Sequence, residues 1–504
     1  MSAIWKEGQA EGQTYPQLHS RLDVDTLVIG AGITGLTTAL KLLDQGQRVA
    51  VVEALHVGAG TTGASTGNLY GTLSSGLSNV EKKWGADVTR EVVSLRNLAV
   101  DLVEDLTQRF SIHCQFTRRL LYVGTRVPDS DLGHYLQLEY DSAADAGLNA
   151  ALTDSVPELP FPLYRALRIQ DQAQFNPLHY VQGLARAVTE MGGLIFEGSR
   201  VSNLDANQRM VTTYGEPQQG EVHARNIVQA THTPKGINLL QAAMQPFLEY
   251  GVAARLKKPC GDGIFWIISD SQSLRTYTYD NEQYVVAVGE KHRTGEPNGR
   301  NHYQELSSYL QTHFDTDEVR YQWAAQQFMS ADLLPYIGHS GHEGIYVATG
   351  YGADGLTWGT VAATLISNQI LGRACRGAEL FDPRRFTPLK SAKNWVKENV
   401  SVTKHLVQDY FTHEDAGALR DVLPGEGRIM MLNGEDVAVY RAADNTLSVL
   451  SPICPHLKCK VKWNDTDSTW DCPCHGSRFA PVGNVLEGPA LTPLTPHSVN
   501  DHSA

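Results

Sequence analysis

Four cysteines and two histidines crowd together near the end of the chain, in Cys454-Pro455-His456-Leu457-Lys458-Cys459 and Cys472-Pro473-Cys474-His475-Gly476-Ser477. Each loop offers a thiolate and an imidazole at C-x-H or C-x-x-H spacing, which is a metal-ligand pattern. A shared site forces the two loops to meet at one point, so it constrains the surrounding fold more than any other feature of the chain. Zinc is one reading, although a Cys₂His₂ finger keeps its cysteines together and its histidines together. Here each loop gives one of each. That interleaving suits a [2Fe–2S] cluster in which one iron takes Cys454 and Cys472 and the other takes His456 and His475. The other three of the seven cysteines, Cys114, Cys260 and Cys375, stand alone and read as buried thiols, not as a disulfide framework.

The opposite end of the chain carries a second constraint. Val24 to Ile29 is a short apolar run of strand type, Gly30-Ala31-Gly32-Ile33-Thr34-Gly35 follows at once, and Leu36 to Gln45 has helical spacing until Gly46 stops it. Arg48 to Val52 is a second buried strand, ending at Glu53. This is a complete βαβ unit for a dinucleotide. The glycines admit the pyrophosphate to the backbone, the helix N-terminus favours its charge, and Glu53 accepts hydrogen bonds from ribose hydroxyls. A tight turn in an ordinary parallel sheet is the plainer alternative.

At roughly 150 residues per domain, 504 residues predict about three folded units. Lys plus Arg number 42 against 55 Asp plus Glu, and a net charge of -13 repels nucleic acid and anionic lipid. There is no transmembrane-length apolar run, and Lys6, Glu7 and Glu11 occupy the place of a secretory apolar region. The expected setting is the cytoplasm.

Helix signals run from Val88 to Phe110, and Tyr164 to Arg255 alternates helix and strand. From Tyr250 to Gly289 the period becomes two, with many aromatics, predicting an antiparallel sheet in a second lobe. A second G-x-G-x-x-G, Gly350 to Gly355, lies between a strand (345–349) and a helix (about 357–371). No acid-ended strand follows it, so a separate nicotinamide site lacks half of its unit. Leu389 to Phe411 reads as a linker or docking helix, and the tail after about residue 418 is short strands with turns at Asn433-Gly434 and Asp444-Asn445.

These residues carry two resemblances. Residues 418–494 resemble a Rieske domain, which implies that Cys459 and Cys474 form a loop-bridging disulfide, that Ser477 donates to a cluster sulfur, and that Gly488-Pro489-Ala490 shields the cluster. Phe479 stands where high-potential members have a tyrosine, which implies a lower potential. The N-terminal 380 or so residues resemble the FAD-dependent oxidoreductases of the D-amino acid oxidase and glycine oxidase superfamily, through Gly30 to Gly35, Glu53, the Gly58 to Ser65 loop, Ala230-Thr231, and Asp332 to Gly338 leading into Gly350 to Gly359. The implied fold is an α/β FAD-binding Rossmann-type domain with an antiparallel-sheet substrate lobe, plus a C-terminal all-β Rieske domain. Its expected parts are a body over 1–385, with nucleotide-binding segments 24–80, 165–235 and 330–372 and lobe segments 81–164 and 236–329, then a linker helix over 386–417 and the Rieske domain over 418–504.

The resemblance further implies that FAD is held by Gly30, Ala31, Gly32, Ile33, Thr34, Gly35, Glu53, Thr61, Thr62, Ser65, Gly352, Gly355, Leu356 and Thr357, so that one cofactor accounts for both glycine motifs. Superfamily members oxidise C–N bonds. Arg275 and Tyr277, on one strand face, and His292 are the expected catalytic and carboxylate-clamping residues, while His232 and His339 lie near flavin-type motifs without a reason to prefer them. The expected activity is a dehydrogenase that takes an electron pair from a small amine or amino acid into FAD and releases it singly through the cluster to an external one-electron acceptor. The rivals are a reductase fed by a nicotinamide nucleotide and a redox sensor without turnover.

Overall fold

The computed structural model describes residues 2–6, 13–215, 218–236, 238–296, 299–385 and 419–497. The expected linker helix over 386–417 lies outside them. β1 (Arg21–Ile29), α1 (Ile33–Leu43) and β2 (Val49–Val52) form the βαβ unit that the glycine motif predicts. β1 pairs in parallel with β2 on one side and with the strand Glu221–Gln229 on the other. The sheet runs Tyr336–His339, Ile345–Thr349, Glu221–Gln229, β1, β2, Leu194–Phe196 across its main path. Its inner strands are nearly continuous apolar runs because helices cover the sheet. One layer is α1, which packs on the helices Pro177–Glu190 and Gly355–Ile370.

The second sheet has nine strands among the described residues: eight follow the path Thr316–Ser330, Met244–Leu256, Glu282–Arg293, Gln272–Tyr279, Ile264–Ile267, Thr117–Thr125, Arg165–Gln174, Asn68–Leu69, and Ala150–Thr153 pairs with Arg165–Gln174 off it. Most pairs are antiparallel as the period-two pattern predicts, but Ile264–Ile267 runs parallel to Thr117–Thr125. Leu248, Tyr250, Val252, Leu274 and Val285 pack on Leu306 and Leu310 of the helix His302–His313. Three segments depart from the expected division. Arg165–Gln174 and Asn68–Leu69 join the lobe sheet, while the helix Ala86–Arg109 packs on Gly355–Ile370 of the dinucleotide-binding side. The reason is that local periodicity identifies a strand or helix without saying which neighbour completes its hydrogen bonds or its apolar stripe.

The C-terminal unit has a three-stranded sheet (Gly427–Leu432, Glu435–Arg441, Leu447–Leu450) and a four-stranded one (Lys462–Asn464, Thr469–Asp471, Arg478–Phe479, Val485–Glu487). Asn433 and Gly434 both take positive φ, 53° and 85°, the hairpin geometry that an Asn-Gly pair favours. Trp463, Trp470 and Phe479 share a core with all four clustered cysteines.

This unit is seated on the lobe. Asn464 Nδ2 donates to the Tyr250 hydroxyl (3.2 Å), Gln326 Nε2 to the Gly476 carbonyl (2.8 Å), and the Gly236 N–H to the Pro489 carbonyl (3.2 Å). Near the seam Arg478 is buried, and its guanidinium meets Asp471 (3.1 Å), Glu487 (3.4 Å) and Asp467. Charges this enclosed are tolerable only while paired. Arg478→Met is therefore expected to destabilise the C-terminal unit by about 3–5 kcal/mol. Denaturant unfolding followed by tryptophan fluorescence checks this, and an unchanged midpoint would contradict it.

Candidate functional site

Between the two sheets lies a cavity of about 620 Å³, and the turn from β1 into α1 forms one wall. Gly30 turns the chain with φ +107°, and a Cβ on Gly35 would stand 1.9 Å from the Gly30 carbonyl oxygen, so only glycine lets the helix close on the strand. Glu53 ties the end of β2 to this turn by accepting from the N–H groups of Ala31 (2.9 Å) and Leu55 (3.0 Å). Gly32, Ile33, Thr34, Glu53, Thr61, Thr62 and Ser65 line the cavity, as do Gly352, Gly355 and Leu356 of the second glycine motif. The two motifs thus serve one cavity. Ala31, Gly35 and Thr357 stand behind that lining: Ala31 is enclosed, Gly35 packs on Gly30, and Thr357 Oγ1 accepts from the Tyr70 N–H (3.1 Å).

The residues fit FAD. α1 opens toward the cavity with no side-chain cap at Gly32, leaving its positive end for a pyrophosphate. Asn68 is 3% exposed and lines the same cavity, with neither end of its amide bonded. Polar atoms this deep call for a ligand.

Sequence reasoning missed a group at the Glu53 end. Arg200, Lys235 and Glu487 all line the cavity there, and burial pushes the Lys235 ammonium down to about 8. They come from separate segments and share no motif. His232 also lines the cavity, with Nδ1 3.2 Å from Thr61 Oγ1, and burial followed by Lys235 lowers it to about 3, so it is neutral.

In the C-terminal unit the two loops meet as their spacing requires. Cys454 and Cys472 are free and buried, while Cys459 and Cys474 are joined in a disulfide. The rings of His456 and His475 lie 5.1 Å apart, and His456 Nε2 and His475 Nδ1 are buried without a partner. Two thiols and two imidazoles on facing loops fit a [2Fe–2S] cluster. Ser477 Oγ accepts from the Ala490 N–H (3.0 Å), tying the 488–490 loop to the second ligand loop.

The three residues expected to be catalytic, Arg275, Tyr277 and His292, are not among those lining the cavity. Arg275 Nη1 donates to the carbonyls of Thr66 (2.9 Å), Gly67 (2.8 Å) and Phe175 (3.2 Å), and its Nε to that of Thr276 (3.2 Å). The guanidinium is spent on backbone, fastening the chain just after the Gly58 to Ser65 loop. Tyr277 is buried, accepts from Asn176 Nδ2 (3.1 Å) and meets Trp5 edge-on. His292 lies nearly parallel to His302 (4.7 Å) and Tyr250 (5.6 Å), which also stack on each other (4.6 Å), in a separate hollow against the C-terminal unit. Strand alternation placed Arg275 and Tyr277 on one face correctly, but alternation does not say what that face meets. The lobe side of the cavity is lined instead by Glu249, Gln272, Gln326, Tyr70 and Trp266.

The FAD dependent oxidoreductase family model matches residues 25–369, and the Rieske [2Fe-2S] domain model matches residues 414–498. A Bacillus subtilis Rieske 2Fe-2S iron-sulfur protein, YhfW, is 30% identical over 95% of this chain and 94% of its own. The gamma-glutamylputrescine oxidoreductase of Escherichia coli is 24% identical over 72% of this chain and 87% of its own. Among solved structures, the glycine oxidase of Geobacillus kaustophilus superposes with a TM-score of 0.58 at 17% identity, covering 72% of this chain and 99% of its own. One cavity served by both glycine motifs, with two Cys/His loops seated beside it, is therefore what the matches describe: the chain belongs to the FAD dependent oxidoreductase family and carries a Rieske [2Fe-2S] domain at its C-terminal end.

Proposed function

We propose that the protein is a dehydrogenase that oxidises a C–N bond of a small amine or amino acid and relays the electrons singly through its Rieske cluster to an external acceptor. One observation carries this reading. Leu486, Glu487, Gly488, Ala490 and Leu491 of the Rieske domain line the same cavity as the FAD-binding glycines, and Gln326, also in that lining, donates to the carbonyl of Gly476, the residue after His475. A donor cavity walled by the relay domain supports transfer within one chain.

The cysteine and histidine set supports Cys454 and Cys472 as ligands of one iron and His456 and His475 as ligands of the other. When bound, FAD supplies a two-electron acceptor and the cluster a one-electron relay. An amine R–CH₂–NH₃⁺ gives up a hydride from carbon and a proton from nitrogen, leaving the iminium R–CH=NH₂⁺, which water hydrolyses. The chain's own part is to hold the amine and keep bulk water out. Trp266, Trp323 and Phe328 wall the lobe side of the cavity, and the Trp323 indole N–H is fixed on the Ala64 carbonyl (2.9 Å). The C–N assignment is supported by what two similar proteins are named for, gamma-glutamylputrescine and glycine. The nicotinamide rival loses its motif, because Gly352 and Gly355 line the FAD cavity.

Anaerobic mixing with a panel of amines and amino acids, followed at flavin and cluster absorbance together, is expected to bleach the flavin and then the cluster, with oxygen a poor substitute acceptor. Rapid bleaching by NADH or NADPH with none by the panel would overturn the proposal. Gln326→Leu removes the amide bridge. It is expected to slow cluster reduction several-fold more than flavin reduction by substrate, and equal slowing of both steps would contradict the relay role.

A further inference from the structure

We propose that the substrate is a cationic amine with no carboxylate beside its reacting nitrogen, and that Glu249 seats its ammonium group. The inference rests on the amine-or-amino-acid reading above and narrows it. Glu249 lies on the strand Met244–Leu256, opposite Ala325, and lines the cavity. Two residues on, Gly251 faces the same way, and a Cβ there would stand 2.4 Å from the Trp323 ring, whose N–H is held by Ala64. Residues i and i+2 of a strand share a face about 7 Å apart. The carboxylate is thus one strand repeat from the loop that leads to Ser65.

Among the described residues, no Lys or Arg nitrogen comes within 4.0 Å of the Glu249 carboxylate. Burial raises its pKa; Lys291 counters this from beyond that distance, its ammonium lying over the Phe247 ring and near the Met329 sulfur, and a hydrogen bond with the neutral Gln327 side chain counters it further without supplying a charge. A carboxylate held in a cavity without an ion partner is costly until a cation arrives. Gln272 adds a second acceptor: it is 7% exposed, lines the cavity, gives its Nε2 to Glu290 (3.3 Å), and leaves its Oε1 without a partner. Tyr70, Trp266 and Trp323 complete the wall with aromatic faces, which attract an ammonium ion.

By contrast, among the described residues no guanidinium or ammonium lines the cavity on this side. Recognition of an amino acid's carboxylate calls for a guanidinium or ammonium presented to it. Arg275 is spent on four carbonyls, Arg96 is enclosed and paired with Asp354 (3.7 Å), and the cavity's own Arg200 and Lys235 stand beside Glu53 and Glu487.

The test compares the full-length holoprotein with its Glu249→Gln and Glu249→Asp variants, using 1,5-diaminopentane, pentylamine, glycine and L-proline in anaerobic flavin bleaching. Unchanged flavin content and cluster EPR show that each variant is folded. The amines are expected to bleach the flavin at lower concentration than the amino acids. Glu249→Gln is expected to raise the half-saturating amine concentration about 10- to 100-fold, the loss of a charge-assisted hydrogen bond, with a smaller effect on the limiting rate and partial recovery in Glu249→Asp. Pentyltrimethylammonium, titrated by tryptophan fluorescence as a non-reacting cation, is expected to bind the parent protein and to lose affinity in Glu249→Gln. Amino acids acting at lower concentration than the amines, or an unchanged half-saturating concentration in Glu249→Gln, would overturn the inference alone. Bleaching by NADH with none of the four compounds active would overturn the reading beneath it as well.

Discussion

The seating of the Rieske domain on the flavin body is the interaction on which the rest depends. Gln326 reaches from the lobe strand Thr316–Ser330 to the Gly476 carbonyl beside one histidine of the cluster pattern, and the Gly236 N–H reaches the Pro489 carbonyl of the loop that closes over that pattern. These bonds involve backbone carbonyls, so they fix position without depending on a mobile side chain at the other end. They bring the segment Leu486 to Leu491 into the wall of a cavity otherwise built by the dinucleotide fold and the lobe. Residues of two separate folds thereby wall one compartment.

Buried guanidinium groups do the fastening on both sides of that compartment, and each faces oxygen atoms of the chain. Arg478 collects three carboxylates within the Rieske domain, Arg275 collects four carbonyls behind the Gly58 to Ser65 loop, and Arg96 faces Asp354 under the second glycine motif. Guanidinium suits this work because its planar fork supplies several donors in fixed directions. The consequence for recognition is indirect. Arg275 and Arg96, committed to structure, are absent from the cavity lining, and on the lobe side the acid facing it is Glu249.

What was legible in the sequence was what lies close together in the chain. The Gly30 to Gly35 turn, Glu53 at the end of the following strand, the Asn433-Gly434 hairpin and the two Cys/His loops are local patterns whose geometry follows from residue type and spacing. The Cys459–Cys474 disulfide came from resemblance and is present. The lobe side of the cavity was not legible. Glu249, Gln272 and Gln326 come from three different strands, and a polar residue in a strand alternates identically whether its face meets solvent, a helix or a cofactor cavity. Arg275 and His292 were attractive as chemistry, and alternation alone did not say that their side chains lie outside the cavity lining. Arg165–Gln174 shows the same limit at the level of the fold, since its strand character was plain and its sheet was not.

The central claim is that electrons pass from the cavity to the Rieske cluster inside one chain. Stopped-flow single turnover without oxygen, at several protein concentrations and saturating substrate, tests it most directly. The account predicts that cluster absorbance falls after the flavin bleaches, at a rate constant that stays the same across the protein concentrations. A rate that climbs in proportion to protein concentration would mean that the cluster is reduced by another molecule, and a cluster that stays oxidised would mean that it is not on the path.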